Sequence, residues 1–115
     1  MTTFRVKRIH DDPADSDGHR LLVDRLWPRG VSKEQAELDG WPKEVTPSSE
    51  LRKAFHDGDL DEEAFAERYR DELDASGAVA ELVADLPAVV TLLTAVKDPE
   101  HGHVPVLLQA LRDAT

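Results

Sequence analysis

The side chains best suited to chemistry in this sequence stand in one short segment, residues 24 to 30, which reads DRLWPRG. The segment directly follows an apolar run at residues 21 to 23. A turn after a strand needs only a proline or a glycine, so a carboxylate, two guanidinium groups and an indole exceed what a turn requires. Because a guanidinium group binds two oxygens of a carboxylate or phosphate at once, the segment predicts a binding site for an anion.

A second group of reactive side chains occupies residues 97 to 103, which read KDPEHGH. Histidine titrates near neutral pH, and both imidazole and carboxylate groups serve as general acids or bases. The candidate catalytic residues are therefore Asp24, Asp98 and His101. The plain alternatives are an ion pair between Asp24 and a neighbouring arginine, and a neutral His101 that donates a hydrogen bond to Asp98 or to the backbone.

The predicted anion-binding residues are the cationic side chains in and near these segments: Arg25, Arg29, Lys33, Arg68 and Lys97. Arg29 is the strongest candidate because the turn formers Pro28 and Gly30 flank it. Arg68 precedes Tyr69 on a predicted helix, where adjacent side chains point about 100° apart. Tyr69 is therefore expected to pack inward, while Arg68 reaches either solvent or the site.

The two tryptophans, Trp27 and Trp41, are predicted to form an aromatic wall of the pocket. We interpret them as core or lid residues rather than as platforms on which a substrate stacks, because burial is the commoner fate of large aromatic side chains. Arg52 and Lys53 are interpreted as solvated charges on the surface of a helix.

Metal-ligating side chains cluster at four positions: Asp98, Glu100, His101 and His103. Imidazole and carboxylate ligands suit zinc, manganese or iron. Two histidines separated by one residue face the same side only in an extended or irregular backbone, and they diverge at the start of a helix. No cofactor is therefore predicted, and His101 and His103 stay open as weak candidate ligands for a divalent metal.

The chain of 115 residues carries a formal net charge of -10, and its second half holds all of the excess. Residues 57 to 115 contain 14 acidic and 4 basic side chains, whereas residues 1 to 56 contain 10 of each. This balance disfavours duplex nucleic acid as a partner, because binding it depends on several Lys or Arg contacts to phosphates. With no cysteine, no signal-peptide pattern and no long apolar run, we expect a cytoplasmic protein without a membrane partner; its oligomeric state stays open.

Apolar patterning predicts strands at residues 4 to 9, 21 to 26 and 88 to 96. The last segment is continuously aliphatic and β-branched, as expected of a central strand that is buried on both faces. Helices are expected between the second and third strands and after the third.

The predicted helices are defined by caps, spacing and breakers. The first begins at Thr46 or Ser48 and ends near residue 56, and the second runs from a capping box at Asp59 and Glu62 to about residue 74. A short third helix covers residues 79 to 86, and the last helix has Pro105 in its first turn.

Together these elements predict one domain, residues 1 to 115, with an α/β fold: a small sandwich with a mostly parallel sheet of three or more strands covered by about four to five helices. If the second and third strands are parallel, the two reactive segments leave the sheet at the same edge, where open α/β sheets bind ligands. The last helix would point its positive N-terminal end there. The first strand stays open, because its short connection also allows an antiparallel hairpin.

Several motifs resemble those of a known family: DRLWPRGVSK at residues 24 to 33, PSSELRK at residues 47 to 53, and RY at residues 68 and 69. Together with Trp41, Phe55, His101 and residues 90 to 93, they look like the YeaO-like branch of the domain of unknown function 488, over nearly the whole chain. This chain reads HGHV at residues 101 to 104 where the family tends to read HNHA. The resemblance implies an α/β fold rather than a reaction.

Two functions from different classes are consistent with these features. In the first, the protein is an enzyme whose Arg25, Arg29 and Lys33 hold a small phosphorylated or carboxylated molecule while the candidate acids and bases move protons. In the second, the same pocket only binds, and the protein is a regulatory or interaction module. The sequence contains no recognisable nucleophile, which slightly favours binding.

Overall fold

The computed structural model describes residues 2 to 115 and contains three strands, β1 (Thr3–Arg8), β2 (His19–Leu22) and β3 (Val89–Thr94). They form a parallel sheet in the order β1-β3-β2, so β3 is central, as predicted. β1 pairs with β3 and runs parallel to it, so it does not form the antiparallel hairpin with β2 that the sequence left open. The connection between them crosses β3 instead, through a 3-10 turn at Asp15–Asp17 whose last carbonyl accepts a hydrogen bond from Thr91 Oγ1 at 2.7 Å.

The helices are α1 (Lys33–Ala36), α2 (Ser49–His56), α3 (Glu62–Ser76), α4 (Ala78–Val83) and α5 (His103–Ala114). The Ser48 hydroxyl, one of the two predicted caps, caps α2 by accepting from the Leu51 amide at 3.2 Å. The predicted cap of α3 is wrong by two residues. Asp61 caps this helix, because the Asp59 amide still donates to Ala54 at the end of α2. The sequence patterns did not predict the single turn of α1.

The two faces of the sheet are covered differently. On one face, Phe4, Leu21 and Leu92 pack against a core formed with α2 to α5, which includes the fully buried Tyr69. On the other face, Leu93 packs with Ile9 and with the loop segment around α1. The predicted α/β fold with a parallel sheet and about five helices is therefore confirmed. Among residues 2 to 115, no helix has both the length and the apolar character needed to cross a bilayer.

A buried ionic cluster fixes α1 to the sheet. Arg20 is 4% exposed and forms an ion pair with Asp17, while its Nε and Nη2 atoms donate to the Ala36 carbonyl at 3.1 and 2.8 Å. Burial alone would raise the pKa of Asp17, but the Ala14 amide, Lys7 and Arg20 hold this pKa below its ordinary value. A buried charge is stable only with such partners, so the cluster anchors the loop-covered face.

Gly18 is required where the connection from β1 reaches β2. It has φ +65°, and a Cβ atom at this position would lie 2.5 Å from the Val89 carbonyl oxygen. We expect Gly18→Ala to lower the free energy of unfolding by more than about 2 kcal/mol, because strain and steric clash add. Gly77→Ala is the control: φ is +69°, nothing lies within 4 Å, and only the backbone cost of about 1–2 kcal/mol applies. Urea denaturation measures both, and equal losses would contradict the clash with Val89.

Candidate functional site

The candidate site lies where β2 and β3 end at the same edge of the sheet. Asp24 follows the last backbone contact of this pair, in which the Val23 amide donates to Leu93 at 3.0 Å. The Asp24 carboxylate accepts hydrogen bonds from Thr94 Oγ1 and from the Ala95 amide, both at 2.7 Å. Its side chain is only 15% exposed, so Asp24 is the inner anchor of the site.

His103, the first residue of α5, completes this anchor. Its Nε2 atom lies 3.0 Å from both the Val23 carbonyl and Asp24 Oδ1. Both oxygens are acceptors, so Nε2 carries the proton. In the neutral ring, Nδ1 is then an acceptor. Within residues 2 to 115, Nδ1 has no hydrogen-bond partner. The atom is not fully buried, so solvent can reach it.

The carboxylate of Asp24 stays ionised despite its burial. Burial raises its pKa, but hydrogen bonds from His103, the Ala95 amide and Thr94 outweigh that effect and hold the pKa below its ordinary value. Charge-assisted hydrogen bonds of this kind are stronger than neutral ones. Asp24 therefore acts as a charged acceptor that orients the His103 ring.

A cleft of about 600 Å³ opens next to Asp24 and His103. Its walls are largely apolar and include Trp27, Pro28, Pro47, Phe55, Phe65 and Val96. The exposed Leu26, at 60% exposure, also belongs to the lining. The volume is within the range of pockets that hold small molecules.

Two guanidinium groups in the cleft lining have no acidic partner. Arg25 donates from Nε to the Pro47 carbonyl at 3.1 Å, and the Arg52 side chain makes no hydrogen bond within residues 2 to 115. Neither guanidinium lies within 4.0 Å of a carboxylate in that part of the chain. The two arginines therefore place positive charge in the lining of the cleft, which also includes His56.

The structure brings only part of the predicted anion-binding set into this cleft. Arg25 lines it, whereas four other residues are exposed and do not: Arg29, Lys33, Arg68 and Lys97. Arg68 lies instead in a shallow groove between α2 and α3, beside Asp71 and Glu72. The adjacent Tyr69 is buried, as predicted, and its hydroxyl donates a hydrogen bond to the Val45 carbonyl.

Asp98 and His101 lie at the surface rather than beside Asp24. His101 Nδ1 is 3.0 Å from Glu62 Oε1, and its Nε2 is 3.6 Å from Asp98 Oδ2. The hydrogen bond with Glu62, and then the charges of Glu62 and Asp98, raise the pKa of His101. The structure therefore pairs Asp24 with His103 and not with His101.

The two histidines diverge at the start of α5, as expected of residues i and i+2. His101 faces Glu62, whereas His103 faces Asp24. In the part of the chain that the structure describes, no three His, Asp or Glu side chains are grouped as metal ligands. The candidate ligands His101 and His103 thus contact different carboxylates, Glu62 and Asp98 for His101 and Asp24 for His103.

Only one of the two tryptophans lines the cleft. Trp27 does so, with its Nε1 donating to the Val31 carbonyl at 2.7 Å. Trp41 packs edge-on against Trp27 at a centroid distance of 5.3 Å, and its own Nε1 donates to the Asp24 carbonyl at 2.7 Å. Trp41 therefore supports the wall from outside the cleft.

Sequence reasoning missed Arg52 and His56 as cleft residues, and it placed His103 only among weak metal ligands. A usable signal was present: Arg52, Phe55 and His56 are spaced i, i+3 and i+4, so they share one face of α2. No comparable local pattern marks His103, because its partners Val23 and Asp24 are about 80 residues away along the chain.

This α/β chain belongs to a family described as the inactive DUF488-N3 subclade, whose model matches residues 3–115. The chain is 45% identical to the uncharacterized protein YeaO of Escherichia coli K12 over 111 residues, which cover 95% of this chain and 96% of that protein. It is 41% identical to the uncharacterized proteins Mb3100c of Mycobacterium bovis and Rv3073c of Mycobacterium tuberculosis, over 96% of this chain and 94% of theirs. No solved structure matches the chain at a significant level.

The stabilising role of Asp24 predicts a defined pH dependence. Because its pKa is lowered in the folded state, its contribution to stability is present above the unfolded value near pH 4 and is lost as the pH falls through the folded value. Asp24→Asn should lower the free energy of unfolding by about 1–3 kcal/mol at pH 7, because one carboxylate acceptor is replaced by an amide donor. The difference from the unmodified protein should shrink below about pH 4.

Urea denaturation between pH 2.5 and 7 measures this difference. Asp85→Asn is the matched control, because Asp85 is exposed and makes no side-chain hydrogen bond or ion pair within residues 2 to 115. A loss for Asp24→Asn that is the same at every pH would contradict the role assigned to the ionised carboxylate.

Proposed function

We propose that this protein binds a small carboxylate- or phosphate-bearing molecule in the cleft, with Arg25 and Arg52 contacting its anionic group. The observation that carries the proposal is the pair of cleft arginines without an acidic partner among the described residues. Within residues 2 to 115, Lys7 and Arg20 are the only Lys or Arg side chains with an acidic partner, so it is their position in the cleft that distinguishes Arg25 and Arg52. Guanidinium groups left free in a cleft suit the recognition of a ligand's oxygens.

Binding without turnover is the form of the proposal that the family favours. The family model describes its subclade as inactive. Asp98 and His101, two of the three candidate catalytic residues, form a solvent-exposed cluster with Glu62. A ligand in the cleft would leave that cluster free, and the proposal requires no cofactor. A cytoplasmic location suits it, because small anionic metabolites are abundant there.

A second candidate, proton-transfer catalysis, is favoured by one observation. The Asp24 carboxylate holds His103 with Nε2 protonated and Nδ1 open to solvent. A histidine oriented by a carboxylate is a suitable general base. In this alternative, His103 takes the proton-accepting role that the sequence assigned to His101. The variant His103→Gln would then abolish any turnover of a bound ligand.

The binding proposal predicts different effects for two adjacent residues of α2. Both side chains are exposed, but Arg52 lines the cleft and its neighbour Lys53 does not. Isothermal titration calorimetry with phosphate, acetate and benzoate should show that Arg52→Gln weakens binding about 10-fold or more, because a charge-assisted hydrogen bond is lost. Lys53→Gln removes the same charge from the same helix and should change the Kd by less than about 2-fold, because distant exposed charges are screened. Equal losses of affinity in the two variants would mean that only the net charge of the protein matters, and would contradict an anion site at Arg52.

The variant Arg29→Ala distinguishes an anion site in the cleft from one in the exposed loop that the sequence favoured. Arg29 is exposed and does not line the cleft, so we expect Arg29→Ala to change the Kd of the same anions by less than about 2-fold. A loss of 10-fold or more, with Arg52→Gln unaffected, would move the anion site to the turn at residues 28 to 30.

A further inference from the structure

The walls of the cleft are suited to a ring rather than to a bare inorganic ion. Phe55 stacks on Phe65 at a centroid distance of 4.3 Å with an interplanar angle of 19°, and Trp27 is held edge-on by Trp41. These aromatic groups are positioned by contacts within the protein, so a ligand need not order them. A phosphate or acetate ion would leave the apolar surface in water, whereas a planar apolar ring would bury it.

The N-terminus of α5, which the sequence suggested as an anion site, is already used by a side chain of the protein. The Glu62 carboxylate accepts from the Gly102 amide at 3.3 Å and lies 3.0 Å from His101 Nδ1. Pro105, in the first turn of the helix, has no amide hydrogen to offer. The Gly102 amide is therefore already bound, and Pro105 offers none to a phosphate group. Guanidinium groups bind carboxylate and phosphate alike, so the negative charge of Glu62 is the feature that favours a singly charged carboxylate over a doubly charged phosphate.

His103 lines the cleft, and its ring has one nitrogen, Nδ1, without a hydrogen-bond partner in the described residues. The His103 ring cannot rotate freely, because Nε2 donates to Val23 and Asp24. Its Nδ1 atom is therefore held as a hydrogen-bond acceptor in the neutral ring. The complementary ligand group is an O–H or N–H donor.

From these three observations we infer that the ligand class is an aromatic carboxylic acid with a hydroxyl or N–H substituent, its carboxylate on Arg25 and Arg52 and its donor on His103 Nδ1. The inference rests on the proposed anion site and adds the ring, the single negative charge and the donor to it. No covalent step is involved.

Titration calorimetry with matched small acids tests each addition. Benzoate should bind at least about 10-fold more tightly than acetate, because the ring is removed from water, and more tightly than phenyl phosphate. One of the three hydroxybenzoate isomers should bind about 3- to 10-fold more tightly than the methoxybenzoate with the same substitution pattern, which lacks the donor. In His103→Gln, which keeps an N–H for Val23 and Asp24 but lacks the ring acceptor, this ratio should fall to about 1. Comparing the two ligands within one variant cancels a general loss of affinity.

The outcomes separate this inference from the proposed function. If acetate and benzoate bind equally and both depend on Arg52, the aromatic inference is overturned while the anion site stands. If phenyl phosphate binds more tightly than benzoate, the preference for a carboxylate is overturned. If no hydroxyl isomer exceeds its methoxy counterpart in the unmodified protein, the role of His103 is overturned, whether or not His103→Gln folds. If no anion binds in an Arg52-dependent manner, the proposed function itself fails.

Discussion

The carboxylate of Asp24 is the contact on which the site depends, because it joins three parts of the chain that are distant in sequence. It follows β2, accepts from Thr94 and Ala95 at the end of β3, and orients His103 at the start of α5. In each of these hydrogen bonds the acceptor is the same buried, ionised carboxylate, so each bond strengthens the other two. The parallel sheet brings the ends of β2 and β3 together, but the Asp24 carboxylate fixes the direction in which the chain continues after each strand.

The cleft is a consequence of this junction. The segment after Asp24 carries Arg25 and Trp27 along one wall, and Trp41 returns to donate a hydrogen bond to the Asp24 carbonyl. α2 contributes two side chains to the lining, the half-buried Phe55, which stacks on Phe65, and the exposed Arg52, which has no acidic partner in the described residues. The cleft thus combines apolar walls with guanidinium groups from two separate segments of the chain.

An oriented histidine and an inactive subclade are compatible. The pair formed by Asp24 and His103 resembles the base and orienter of many enzymes, but a ring that is oriented by a carboxylate does not by itself carry out a reaction. In the proposed binding function, a ligand without a donor would leave the acceptor of this pair unpaired, which would give specificity without a reaction. The 45% identity to YeaO and the 41% identity to the mycobacterial proteins extend over almost the whole chain, so the fold is common to all of them.

The sequence by itself determined the α/β fold, the central position of β3 and the start of α2 at Thr46 or Ser48, because apolar periodicity and caps act over a few residues. It also predicted a site at Asp24 and Arg25, which both line the cleft, because their types exceeded what a turn needs. Only the tertiary structure decided that His103 and not His101 joins Asp24, that Arg52 and not Arg29 lines the cleft, and that Glu62 lies at the N-terminus of α5. Those choices depend on the direction in which each side chain leaves its helix or loop and on what packs opposite. Both are set by contacts between residues from about 40 to 80 positions apart, and no local pattern encodes them.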